Sequence, residues 1–104
     1  MEKRKPHCPL PVVHKLVEQG QVRATMTALG GAAAMDLTFD DMLDVIRALT
    51  SADFYKSITT HADHRVWQDV YQPRTRAGPT TPARSVYLKL TVIDDVLIVS
   101  FKEL

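Results

Sequence analysis

Polar residues interrupt the apolar second half of this sequence in three places. Tyr55 and Lys56 stand in DFYKSIT, Trp67 and Gln68 in RVWQDVY, and Tyr87 and Lys89 in SVYLKLTVI. Lysine offers a positive charge on a long stem, tyrosine can pass a proton, and glutamine orients a partner by hydrogen bonding. Basic groups meet phosphates and aromatic rings stack on unpaired bases. Carried by a sheet, these residues suit an anionic, aromatic ligand such as single-stranded RNA. A charged residue in a strand can also simply mark its solvent face. Strand alternation puts Tyr87 and Lys89 on one face. The same rule puts Lys56 with Phe54 and Ile58, and Gln68 with Val66 and Val70, so alternation alone does not gather these residues in one cleft.

Other chemistry finds little support. There is no glycine-rich phosphate loop and no G-x-S-x-G nucleophile turn. Cys8 follows His7, but no helix start or cleft is foreseen to activate it, so an inert thiol is expected. His61, Asp63 and His64 cluster in a polar stretch. Zinc sites draw three or four ligands from defined elements, so this stretch reads as a solvated loop.

The elements that must position these residues come in two blocks. Pro9, Pro11 and the stripe Val12, Val13, Leu16 and Val17 predict a helix that ends at Gly20. A second helix starts near Thr25 and runs through Ala34, weakened by Gly30 and Gly31. In the third, Thr38 is the N-cap, Asp40 and Asp41 fill the first turn, and Phe39, Met42, Val45, Ile46 and Leu49 form the apolar face. From Asp53 the period changes to two. Two strands around His61–His64 precede a proline-rich loop over 72–85, and SVYLKLTVI and VLIVSFK form a hairpin at Asp94-Asp95. The last strand is apolar on both faces, which suits a position inside the sheet. Helices followed by hairpin-linked strands indicate an α+β fold, an antiparallel β-sheet packed against N-terminal helices.

Length and charge agree with a modest domain. The 104 residues carry 13 basic and 12 acidic side chains, a net charge of +1. That length suits one domain over 1–104 with its own hydrophobic core. A single cysteine excludes an internal disulfide, and there is no apolar run long enough for a membrane span or a signal peptide. A cytoplasmic protein without membrane contact is expected. The near-neutral total hides a pattern. Residues 24–54 carry five aspartates against Arg47, whereas 55–89 carry six basic residues against two aspartates, a local net of +4. Local field, not total charge, attracts a phosphate backbone.

The strand blocks also carry a family resemblance. MEKRKPH, KLVEQGQVR, SADFYKSITT, DHRVWQDVYQPR and VYLKLTVIDDVLIVSFKE closely resemble the MqsR (motility quorum-sensing regulator) toxin family, over nearly the whole chain. The resemblance implies a RelE-like fold. It implies the toxin of a bacterial type II toxin–antitoxin pair, an endoribonuclease that cleaves mRNA at GCU-like sites and so inhibits translation and growth. The family's catalytic lysine of FYKS, glutamine of WQDVY and tyrosine of VYLK fall on Lys56, Gln68 and Tyr87. Tyr55, Arg74 and Lys89 are the expected RNA contacts. RNA supplies its own 2′-hydroxyl nucleophile, so no metal or other cofactor is expected. A tyrosine has an ordinary pKa of ~10, so base action by Tyr87 calls for a cation beside it, for which Lys89 and Lys56 are the candidates. The implied partner is an MqsA-like antitoxin with a zinc-binding N-terminal domain and a helix-turn-helix C-terminal domain, with DNA contacted only through it. The Arg74–Val86 loop is longer than in short family members. The alternative is a non-catalytic module that binds RNA or the antitoxin in transcriptional autoregulation, using the same basic, aromatic sheet.

Overall fold

Local chemistry sets where each helix starts and stops. The computed structural model describes all 104 residues. Helix α1 spans Leu10–Glu18, with Pro9 at its N-cap and Pro11 in its first turn. It ends where Gly20 takes a positive φ of 75°. There Gly20 N–H donates to Val17 O (3.0 Å) and Gln21 N–H to Leu16 O (2.8 Å), the paired closure of a Schellman motif. Helix α2 spans Met26–Ala33, and the Thr25 hydroxyl accepts from Ala28 N–H. Helix α3 spans Phe39–Arg47 with a full capping box: Asp41 N–H donates to the Thr38 hydroxyl, and Thr38 N–H donates to the Asp41 carboxylate. A short 3-10 turn, Ser51–Asp53, leads into the strands. No helix is long and apolar enough to cross a membrane.

Six strands form one sheet. They are β1 (Glu2–Lys3), β2 (Val22–Ala24), β3 (Phe54–Thr59), β4 (Trp67–Tyr71), β5 (Val86–Val92) and β6 (Val96–Glu103). Their spatial order is β1-β3-β4-β5-β6-β2. The four long strands and three helices match the expected α+β layout. Two differences stand out. Strands β1 and β2 are not foreseen in the sequence, because two or three residues are too short to show alternation. The sheet is also not wholly antiparallel, since β2 runs parallel to β6. The hairpin loop takes in Ile93, which is 75% exposed and not part of β5. Strand β6 has neighbours on both sides, as its composition suggests. Arg23 of β2 donates to Asp95 in the hairpin loop (2.6 Å), and that bond holds the Asp95 carboxyl below the usual carboxylate range.

All three helices cover one face of the sheet. Tyr71, Val86, Leu88, Leu90, Ile98 and Phe101 are buried there in one cluster with Val13 and Val17 of α1, Ala28 and Ala32 of α2, and Met42, Val45 and Ile46 of α3. The cluster also leaves room for close backbone approach. A Cβ on Gly31 would lie 1.8 Å from the Phe101 carbonyl oxygen, so α2 rests on the β6 backbone itself. At Gly30 a Cβ would meet nothing within 4 Å. The two glycines that weaken α2 in the sequence therefore have different standing. The proline-rich loop is anchored as well. It opens with an Arg74–Ser85 bridge, and Arg84 donates to Met35 O in the turn just after α2 (2.6 Å).

Substituting each glycine separates the two roles. Gly31→Ala should destabilise by about 1–3 kcal/mol or more through overpacking. Gly30→Ala should stabilise by up to ~1 kcal/mol through helix propensity. Thermal melts of the two variants, expected to shift in opposite directions, check this.

Candidate active site

The sheet face away from the helices carries the polar residues. Which residues reach it is decided by strand register. In β3–β4, Phe54 pairs with Tyr71 but Lys56 pairs with Val70, which leaves Tyr55 as one extra residue in β3. This bulge removes Phe54 from the face of Lys56 and turns it to the helices, where its ring meets Tyr71 edge-on at 5.4 Å. Strict alternation groups Phe54 with Lys56, and the bulge separates them. A second shift, in β5–β6, pairs Lys89 with Ser100 and Leu90 with Ile98, leaving Val99 extra.

Opposed residues in antiparallel strands share a face, so the pairings can be followed across the sheet. Lys56, Val70, Lys89 and Ser100 form one row. Ile58 and Gln68 lie opposite each other to one side of it. Tyr87 and Lys102 lie opposite each other on the other side. Lys56, Gln68 and Tyr87 therefore share the open face, and so does Lys89. They are not in mutual contact. At ordinary strand spacings Gln68 is diagonal to Lys56 and to Lys89, about 7–8 Å away between Cα atoms. Tyr87 is about 12 Å from Lys56 and about 14 Å from Gln68. Lys89 is the central member, opposite Val70, diagonal to Gln68 and two residues from Tyr87.

Val70 explains how the row is built. It is fully buried, yet it lies outside the cluster under the helices. Its cover comes from the open face, where Lys56 and Lys89 flank it across the neighbouring strands. Lysine stems pack on apolar surface, so Val70 serves as a floor between two lysines.

Each polar group has its own neighbour. The Lys56 ammonium lies 3.2 Å from the Glu2 carboxylate and 5.3 Å from the Tyr55 ring. The Lys102 ammonium lies 5.2 Å from the Tyr87 ring. Lys102 therefore supplies the cation beside Tyr87 that is expected of Lys89 or Lys56. Its signal, the alternation of VSFKE opposite VYLK, becomes legible only with the β5–β6 register. Lys89 is half-buried and makes no ion pair. Arg74 lies six residues along the chain from Gln68, opposite Ser85 and so diagonal to Tyr87 at the end of the open face. Its guanidinium donates to Ala83 O (3.4 Å), and it lines a cavity of about 530 Å³ against Asp41, Asp44 and Val45 of the α3 region.

The remaining candidates are engaged elsewhere. Asp63 of the histidine loop accepts from Arg65, which holds its carboxyl below the ordinary range. Cys8 lies at the helical face beside buried Asp69, whose carboxylate accepts from His7 and Cys8 N–H at 2.9 and 3.0 Å. Burial, with the Asp69 charge adding to it, pushes the Cys8 thiol up. Burial likewise pushes up the Tyr71 hydroxyl, which has no hydrogen-bond partner.

Comparison with known proteins identifies the family of this chain. The family profile described as "Motility quorum-sensing regulator, toxin of MqsA" matches residues 5–103. The chain belongs to the MqsR toxin family. It is 57% identical over 103 residues to a protein named mRNA interferase toxin MqsR from Escherichia coli (strain K12), covering 99% of each. The α+β architecture agrees with the RelE-like layout that the family resemblance implies. Among the chemistry-bearing residues of this MqsR-family chain, the open face holds Lys56, Gln68, Tyr87, Lys89 and Lys102, while Cys8 lies on the helical side.

A raised thiol pKa means little thiolate at neutral pH. Cys8 should therefore react with iodoacetamide much more slowly in the folded protein than in urea, and mass spectrometry over a time course reads the difference.

Proposed function

We propose that this chain is an mRNA interferase, a toxin that cleaves single-stranded mRNA at GCU-like sites and so stops translation and growth. The observation that carries the reading is the pair of lysines flanking Val70 on the open sheet face, with Gln68 and Tyr87 on either side. Membership of the MqsR toxin family supports the same activity.

RNA cleavage without an outside nucleophile needs four things. The 2′-hydroxyl must lose a proton, the phosphate must be held in line, the added negative charge must be stabilised, and the leaving 5′-oxygen must gain a proton. Lys56 and Lys89 bracket the scissile phosphate and stabilise the charge that develops on its oxygens. Gln68, diagonal to both, donates to a phosphate oxygen or orients the 2′-hydroxyl. Tyr87 handles the proton, with the Lys102 ammonium beside its ring. The 2′-oxygen bonds to phosphorus as the 5′-oxygen departs, which leaves a 2′,3′-cyclic phosphate and a 5′-hydroxyl. The reaction uses no metal. Tyr55, exposed beside Lys56, offers a ring on which an unpaired base can stack. Arg74 serves RNA only at a distance from the scissile bond.

The partner is an MqsA-like antitoxin. It has a zinc-binding N-terminal domain and a helix-turn-helix C-terminal domain, and DNA is contacted through it. The toxin acts in the cytoplasm.

Incubating purified protein with a defined RNA and analysing the ends tests the proposal. Cleavage in EDTA to 2′,3′-cyclic phosphate ends is expected. Binding without cleavage would favour a non-catalytic module, and activity that needs Mg²⁺ would overturn the metal-free mechanism. Lys56→Ala should lose about 10²–10³ in rate with its fold intact. Lys89→Ala should lose markedly more than Arg74→Ala, and single-turnover rates rank the two.

A further inference from the structure

We propose that Glu2 is a positioning residue for Lys56, an inference that rests on Lys56 being the charge stabiliser of the cleavage reaction. The Glu2 carboxylate accepts from the Lys56 ammonium at 3.2 Å. It does so because β1 pairs with β3, with Glu2 opposite Ile58 and Lys3 opposite Ser57. Ile58 follows Lys56 by two residues, so Glu2 lies diagonal to Lys56 on the open face.

The first eight residues are fastened on both sides of Glu2. Thr59 N–H donates to Met1 O at 3.0 Å. The Lys3 ammonium lies 4.2 Å from the Trp67 ring centroid and 2.9 Å from His7 Nδ1. The His7 ring stacks on the same Trp67 at 5.6 Å, and His7 and Cys8 N–H both donate to buried Asp69. A two-residue strand would hold poorly alone. These contacts make it a fixed strap across the end of the sheet.

The ion pair itself is a weak reason for such fastening. Its side chains are 28% and 46% exposed, and partly exposed pairs add little stability. Its value lies in direction. Lysine carries its charge on a flexible four-carbon stem. A fixed carboxylate holds that charge over the sheet before RNA arrives, and displacement of a catalytic group by about 1 Å can cost 10²-fold in rate. The ammonium has three donors, so it meets a phosphate while Glu2 still holds it. The carboxylate also repels that phosphate, so Glu2 trades some RNA affinity for orientation of Lys56.

Glu2→Gln keeps the shape and the strand pairing while removing the charge. Binding is measured with a 2′-O-methyl RNA that cannot be cut, and cleavage by single-turnover kinetics at saturating RNA. Glu2→Gln should bind the blocked RNA several-fold more tightly and cleave about ten-fold more slowly. Placed in a Lys56→Ala background, it should cause no further loss of rate, because its effect passes through Lys56. An unchanged saturating rate, or an equal loss in both backgrounds, overturns the assignment of Glu2 while leaving Lys56 in place. A folded Lys56→Ala variant that cuts at the wild-type rate would instead overturn the role of Lys56, and the proposal for Glu2 with it.

Discussion

One extra residue in β3 governs the chemistry of this fold. Side chains alternate along a strand, so a shift of one position moves each of them to the other face. Between Phe54 and Lys56 the register slips by one. Phe54 thereby joins the core against Tyr71, and Lys56 comes to rest opposite Val70 on the open face. Without the slip, keeping Phe54 in the core would turn Lys56 inward, and a buried unpaired ammonium is costly. The β5–β6 slip around Val99 does the matching work on the other flank, keeping Ser100 and Lys102 opposite Lys89 and Tyr87. Bulges often re-aim side chains next to active sites.

Rigidity on the helical side makes the open face possible. Helix α2 lies directly on the β6 backbone at Gly31, and α1 is tied to α3 by a hydrogen bond from the His14 imidazole to Ile46 O. The sheet therefore keeps one face dry and the other free. The free face has a single fully buried aliphatic residue of its own, Val70, with a lysine on either side. The chain's net charge of +1 says nothing of this arrangement, because the acidic residues concentrate in 24–54 and the basic ones in 55–89. Attraction of RNA is a property of one face.

Much of the fold could be read in advance, and the reasons are local. Thr38 with Asp41, and Gly20 after Val17, are signals that act within a few residues, and both ends form as expected. Alternation in VYLKL correctly separates Val86, Leu88 and Leu90 from Tyr87 and Lys89. Longer-range features escaped. Strands β1 and β2 exist only because β3 and β6 offer edges to them. The need for Gly31 depends on Phe101, seventy residues on. The bulges leave no trace in the alternation, so the grouping of Lys56 with Phe54 failed, and Lys102 and Glu2 went unnoticed as neighbours of Tyr87 and Lys56. The residue types at Lys56, Gln68 and Tyr87 were legible. Their common face, and the central place of Lys89, came from register.

The most direct measurement uses Val70 as a reporter. Its methyl groups lie beneath the proposed phosphate position, apart from the core under the helices. In a methyl-labelled valine sample titrated with a blocked 2′-O-methyl RNA, the Val70 signals should shift first and most, while those of Val13, Val17 and Val86 stay nearly still. Shifts centred on Val45, beside the cavity at Arg74, with Val70 unmoved, would contradict the account.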